Sequence, residues 1–247
     1  MNNGALIIGD ELLSGKRQDK HLGELIRLLA MRGMRLHYAE YLGDDPERIA
    51  ASLARAFASG DRVFSFGGIG ATPDDHTRAA AARALGAPLE LQPQAAALIE
   101  ARFGDDARPN RIRMAEFPRG AAIIPNPVNT IAGFSVGHVH FVPGFPSMAW
   151  PMVEWVLDTH YRDAFNPDPD IEQTLVALDA REGDLIDLME AYTARYPALR
   201  LSSLPSFGTE AIKTPHIEFG FTGQPALVGV ALAEFARDLK ARGYTLA

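Results

Sequence analysis

The run Gly67-Gly68-Ile69-Gly70-Ala71-Thr72-Pro73-Asp74-Asp75-His76-Thr77 is the segment of this chain best suited to chemistry. It follows the apolar stretch Val63–Phe66 and leads into an alanine-rich stretch that reads as a helix from about Asp75 to Leu85, closed by Gly86. Glycines let a backbone approach a ligand closely and can take positive φ. A helix start offers unpaired N–H groups and the positive end of a dipole. Gly67, Gly68 and Gly70 are therefore expected to cradle an anion, most naturally phosphate, with hydroxyl contacts from Thr72 and Thr77. The run is neither a Gly-x-Gly-x-x-Gly fingerprint nor a Walker loop, because no Lys-Ser/Thr pair follows.

Two adjacent carboxylates beside such a loop repel a phosphate unless a cation intervenes. Mg²⁺ bridging carboxylate and phosphate oxygens resolves that conflict, with Asp75, Asp44 and Asp74 as its candidate ligands and Asp75 and Asp44 as the candidate catalytic pair. The plainer alternative makes Asp74 an N-cap, Asp75 a first-turn partner of the helix dipole and Asp44 a solvated turn residue. Two acids exceed what capping needs, which favours a further role for Asp75. The loop after the first strand, Gly9 to Lys20, supplies Glu11 as an acceptor for a ribose or pterin ring and Ser14, Lys16 and Arg17 for phosphate. Its alternative is a polar surface loop.

Several elements must position these groups. Short buried strands are expected at Ala5–Ile8, Met34–Leu42 and Val63–Phe66, alternating with helices at Lys20–Met31 and from Pro46 to about Ala58. Asp45 is the expected N-cap of the second helix, Pro46 its first residue and Gly60 its stop. Helix, strand and hairpin follow at Gln94–Phe103, Ala121–Ile124 and Phe134–Val142, the last turning at Gly137, and then a helix to His160. Alternating strands and helices imply a parallel sheet covered on both faces, whose strand ends gather the loops at one edge. Asn166-Pro167-Asp168-Pro169-Asp170 reads as a linker. The expected architecture is α/β: a three-layer α/β/α unit with a mostly parallel sheet over residues 1–165, and a small C-terminal α+β domain, β-α-β-β-α, over 170–247.

The 247 residues are 47% hydrophobic and 22% charged, which excludes intrinsic disorder. Cysteine is absent, which excludes disulfides and thiolate chemistry. With 24 Lys and Arg against 31 Asp and Glu, the charge of -7 argues against a nucleic-acid partner. No apolar run reaches membrane length and Met1-Asn2-Asn3-Gly4 does not resemble a secretory leader, so a cytoplasmic protein without membrane contact is expected.

Other candidates carry less. His138-x-His140 places two imidazoles on one strand face without an evident third ligand. Ser135 and Ser147 lack a nucleophile elbow. Arg108, Arg111, Arg113 and Arg119 read as a solvated basic face. Trp150 and Trp155 read as core or subunit interface.

Ile8-Gly9-Asp10-Glu11-Leu12-Leu13-Ser14-Gly15, Gly43-Asp44, Gly67–Thr77, Asn126-Pro127 with Thr130-Ile131-Ala132-Gly133-Phe134, and Val142-Pro143-Gly144-Phe145-Pro146 occur in an order that resembles the molybdopterin-binding domain of molybdenum-cofactor biosynthesis proteins. The set is most similar to the N-terminal part of the competence/damage-inducible protein A family, over about residues 4–160. The resemblance implies a pterin or nucleotide (pyro)phosphate as ligand, with Mg²⁺-dependent pyrophosphate hydrolysis or nucleotidyl transfer such as molybdopterin adenylylation. It maps the family's essential aspartates onto Asp44 and Asp75, and it implies a homo-oligomer, dimer or trimer. The C-terminal amidase domain of many full-length members is not expected beyond Ala247, nor is its deamidation chemistry. Three positions depart from the pattern. Ala79 and Met148 stand where the family usually has Glu, and Gln18-Asp19-Lys20 replaces an Asn-Thr-Asn triplet. These departures make a non-catalytic binding or assembly module with a degenerate site the alternative.

Overall fold

Ala5 and Ile7 enter one buried cluster and Leu6 and Ile8 another, so the first strand, β1 (Asn3–Ile8), is covered on both faces. That is the signature of a central strand in a layered α/β sheet. The computed structural model describes residues 1–210 and 212–247. They divide into two compact units, Met1–Phe165 and Asn166–Ala247.

In the first unit β1 is followed by a short helix, α1 (Asp10–Leu13), then α2 (His21–Ala30), β2 (Tyr38–Leu42), α3 (Pro46–Ser59), β3 (Arg62–Phe66) and α4 (Thr77–Leu85). Then come β4 (Leu89–Leu91), α5 (Pro93–Phe103), β5 (Glu116–Pro118), β6 (Ala122–Ile124), β7 (Gly133–Val136), β8 (Val139–Val142) and α6 (Pro146–His160). The main sheet runs β2-β1-β3-β8-β7-β6. Its first four strands are parallel, and β7 and β6 continue it antiparallel. Residues of α3, α4 and α5 bury one face, and those of α2 and α6 the other, which makes three layers.

Local signals are obeyed where they are strong. Asp45 accepts from the N–H groups of Glu47 and Arg48 at 2.9 and 3.2 Å, and Gly60 ends α3 in the left-handed conformation. β2 begins at Tyr38 rather than Met34, because its ladder with β1 starts only at the pair Gly4–Tyr38. The preceding residues are tied instead by the Asn3 side chain, which donates to Arg35 O at 2.7 Å. The two-stranded sheet of β4 and β5 and the 3-10 turns Gly104–Ala107 and Arg111–Ala115 carried no periodic signal.

The second unit contains β9 (Ile171–Leu178), α7 (Ile186–Arg195), β10 (Arg200–Ser206), β11 (His216–Gly223), α8 (Pro225–Ala241) and β12 (Thr245–Leu246). Its sheet is antiparallel in the order β10-β11-β9-β12, around a core of Tyr192, Phe219, Phe221 and Phe235. The short β12, which pairs with Ala177 and Leu178, adds one strand to the β-α-β-β-α pattern. Among the described residues no helix is long and apolar enough to cross a membrane.

Candidate functional site

The loop after β3 requires glycine at two successive positions. Gly67 has φ +97° and Gly68 φ +68°. A Cβ on Gly67 would fall on the Ile8 carbonyl oxygen, and one on Gly68 on the Thr77 hydroxyl. Thr77 is fully buried. Its Oγ1 donates to Gly67 O at 3.0 Å and its N–H to Gly68 O at 2.9 Å. Thr77 is therefore a staple within the loop, not a hydroxyl offered to a ligand, which corrects the expectation from sequence.

Arg78 is the second staple. It is 5% exposed. One guanidinium nitrogen donates to Gly70 O at 2.7 Å, while the other donates to the carbonyls of Arg113 and Glu116. Five fixed donors suit a guanidinium to hold carbonyls from separate segments. Burial lowers its pKa, opposed by the Glu116 and Asp75 charges. Replacing Arg78 with Met leaves these carbonyls without their donors. The expected loss is about 2–3 kcal/mol of stability, read by chemical denaturation. Arg78→Lys should recover only part of it, since an ammonium cannot reproduce the fork. Full stability in Arg78→Met would show that the carbonyls have other donors.

The carboxylates do not sit where capping predicts. The cap position of α4 is His76, with no side-chain hydrogen bond, so Asp74 is not its N-cap and Asp75 lies outside the helix. Asp75 turns back and accepts from the Thr72 N–H at 2.8 Å and from the Thr72 hydroxyl. Its carboxylate fills the space a Cβ at Gly70 would need. Asp44 joins the loops after β1 and β2. It accepts from the Asp10 N–H at 3.0 Å while its own N–H donates to Asp10 Oδ1 at 3.1 Å. Burial raises the Asp44 pKa, the Asp10 N–H opposes this, and the charges of Asp10, Glu11 and Asp74 add to the rise. Among the described residues, no three acidic or imidazole groups form a metal-ligating cluster, so Asp44, Asp74 and Asp75 do not by themselves make a metal cage.

A cavity of about 450 Å³ opens at the carboxyl ends of the parallel strands. Gly67, Gly68, Gly70 and Thr72 line it, with Asp44, Asp74, Asp75 and Glu11. Arg17 lines it as well, whereas Ser14 and Lys16, both exposed, do not. The basic contribution of that loop is thus Arg17 alone. The far wall comes from residues that periodicity did not single out: Met114, Asn129, Ile131 and Ala132. The motifs around Asn126-Pro127 and Val142–Pro146 flagged their neighbourhood, but not their meeting with the glycine loop. Gly144 packs against Gly67 closely enough that its Cβ would stand 3.4 Å from the Gly67 Cα.

The remaining candidates are structural. His140 lies in β8, buried between Ser135 Oγ at 2.8 Å and the Tyr161 hydroxyl at 2.7 Å. Its partner in the sequence motif, His138, sits in the turn before β8. Arg108, Arg111 and Arg119 pair with Glu100, Asp106 and Glu90. Trp150 and Trp155 pack on the core cluster of α2 and α6.

Comparison with known proteins gives a consistent picture. A family model described as a probable molybdopterin binding domain matches residues 4–162. A CinA-like protein of Citrifermentans bemidjiense is 38% identical over 161 residues, which is 62% of this chain and 39% of that protein. A CinA-like protein of Geobacter sp. strain M21 is 32% identical over 219 residues, 81% of this chain and 53% of that protein. The chain thus spans about two-fifths to one-half of the length of these relatives. The crystal structure of CinA from Thermoplasma acidophilum, described as of unknown function, is similar with a TM-score of 0.59 and 28% identity. That match covers 64% of this chain and 98% of the solved one.

Proposed function

We propose, from the premise that this chain belongs to the probable molybdopterin binding domain family through residues 4–162, that its first unit binds a pterin or nucleotide (pyro)phosphate on the loop Gly67–Gly70. The observation that carries the reading is the loop itself. Two positive-φ glycines, stapled from behind by Thr77 and Arg78, line a cavity at the strand ends, where open α/β sheets bind ligands. Arg17 supplies a cation on the cavity wall.

Asp44 and Asp74 are the residues that would hold Mg²⁺ at this end of the cavity. Asp44 and Asp74 lie near enough for one charge to raise the pKa of the other. Phosphate oxygens and water would complete its coordination, as is usual for this ion. When bound, the ion would draw charge from a phosphoryl oxygen, and this supports pyrophosphate hydrolysis or nucleotidyl transfer as the activity. In that reading Asp44 and Asp75 are the essential carboxylates. A second reading, ligand binding without turnover, is favoured by the engagement of Asp75 with Thr72 and by the non-acidic Ala79 and Met148.

One experiment tests both. Thermal melts with ADP-ribose, FAD, ATP, NAD and a pterin phosphate, with and without Mg²⁺, should give a rise in Tm for at least one ligand. Product analysis with that ligand then follows. In the turnover reading Asp75→Asn lowers the rate about 100-fold. In the binding reading no product forms and Asp75→Asn, which keeps an acceptor for the Thr72 N–H, changes affinity by only about threefold. No rise in Tm with any of them would sink the phosphate assignment.

A further inference from the structure

Gly67 is held from two sides, and one buried side chain touches both supports. Phe66 precedes Gly67 in the chain, and Gly144 packs against it, so that a Cβ on Gly144 would stand 3.4 Å from the Gly67 Cα. His21, the first residue of α2, stacks its ring on Phe66 with centroids 4.6 Å apart. Its Nε2 lies 3.1 Å from Gly144 O. A carbonyl only accepts, so Nε2 carries the proton and Nδ1 presents a bare lone pair. The residue is 5% exposed, and Nδ1 is buried with no hydrogen-bond partner among the described residues.

This setting keeps the ring neutral while the loop is empty. Burial lowers the His21 pKa, opposed by the Gly144 carbonyl and by the Asp19 charge. The start of α2 is the positive end of a dipole, which disfavours an imidazolium. Asp19 is already engaged: it accepts from the His21 and Leu22 N–H groups at 2.8 and 3.0 Å and from the Tyr41 hydroxyl at 2.8 Å. His21 also lines a second cavity of about 440 Å³. The charged side chains facing it there are Glu11, Arg17, Asp19 and Lys20, two acids against two bases, while β1, β3 and the start of α6 contribute none. An anion on the glycine loop changes this balance, because a nearby negative charge favours the charged form of an imidazole. A proton arriving at Nδ1 leaves both the Nε2–Gly144 bond and the stack on Phe66 in place.

We propose that His21 is a positioning residue of the glycine loop, acting through Gly144 and Phe66, and that it takes up a proton at Nδ1 when an anion binds there. The inference rests on the phosphate reading above and adds how that site responds to protons. The step moves one proton from solvent onto the Nδ1 lone pair, and the imidazolium formed still donates from Nε2 to Gly144 O. Between the pKa values of the empty and the occupied site only the complex holds the proton. Affinity therefore grows as pH falls through that window and is level above it. A rise of about one unit on binding corresponds to about tenfold in affinity.

Calorimetric titration of the whole chain with ADP-ribose, FAD and NAD between pH 5.5 and 8, with and without Mg²⁺, tests it. The phosphates of these pyrophosphate diesters keep their charge over that range. At least one of them should bind about tenfold more tightly at pH 5.5 than at pH 8, and titrations in buffers of different ionisation enthalpy should register the proton taken up. His21→Ala should bind about tenfold more weakly at pH 8, since the loop loses its tie to Gly144. His21→Gln, which restores a donor but cannot ionise, should recover that affinity at pH 8 yet gain little at pH 5.5. Asp44, in the same cleft, responds to pH in the same direction, and the comparison with His21→Gln sets its share apart. The same pH dependence in His21→Gln as in the unsubstituted protein overturns the proton uptake, and decides alone if His21→Ala does not fold. Equal affinity of His21→Ala and the unsubstituted protein at pH 8 overturns the positioning role. Both results leave the phosphate site standing, whereas absence of binding by all three probes overturns that site and this inference with it.

Discussion

Gly67→Ala should destabilise the first unit by about 3 kcal/mol and abolish the phosphate binding proposed for its loop. Two independent costs meet at this residue. Its φ of +97° is strained for any residue with a Cβ. The new methyl would also land on the Ile8 carbonyl oxygen, main-chain atoms of the central strand that cannot step aside. Relief requires the loop to lift off β1, which withdraws the N–H groups from the cavity. Urea denaturation measures the first effect and titration with the ligand found by thermal melts measures the second. A Gly70→Ala control separates strain from crowding, because Gly70 has no positive φ and the nearest atoms its Cβ would meet belong to the Asp75 side chain rather than to main chain. Its stability loss should be smaller than that of Gly67→Ala. Equal losses would show that the left-handed backbone at Gly67 is not the cause.

Acid should destabilise the same unit through His140 before most carboxylates titrate. The imidazole is 2% exposed and hydrogen-bonded on both nitrogens. Burial, with His160 and His138 adding to it, pushes its pKa from 6.5 down to about 3. In the unfolded chain the ring takes up a proton near its ordinary pKa, while in the fold it does not. Between these two values the unfolded state binds the extra proton, so stability falls as pH falls through that window and is independent of this group above it. The slope is about 1.4 kcal/mol per pH unit. His21, whose pKa is also lowered by burial, acts with the same sign. Chemical denaturation at pH 7, 6, 5 and 4 reads the slope, and His140→Gln should flatten it by most of that amount. An unchanged slope in the variant would assign the acid sensitivity elsewhere.

Much of this was legible in the chain itself. The α3 helix is written in Asp45-Pro46 and Gly60, because a cap and a left-handed stop act within one turn of backbone. The α/β class is written in short apolar runs separated by helical spacing, since a strand buried on both faces has no polar side to show. The glycine loop is legible because few residue types tolerate that backbone. The same locality explains the failures. Asp74-Asp75 before an alanine-rich stretch satisfies every rule for a helix start, yet α4 begins at Thr77, because Asp75 folds back on Thr72.

What sequence alone determined, then, is the main alternation of strands and helices, the family pattern and the presence of an anion-suited loop, all of which depend on contacts within a few residues. Tertiary structure decided the duties of the side chains around that loop. Thr77 and Arg78 face inward to the carbonyls of Gly67, Gly70, Arg113 and Glu116, and Lys16 and Ser14 stay outside while Arg17 comes in. Met114, Asn129 and Ile131 become a wall only once the sheet order places β8 and β7 beside β3. Such roles depend on which distant backbone atoms arrive beside a side chain, and spacing along the chain carries no record of that.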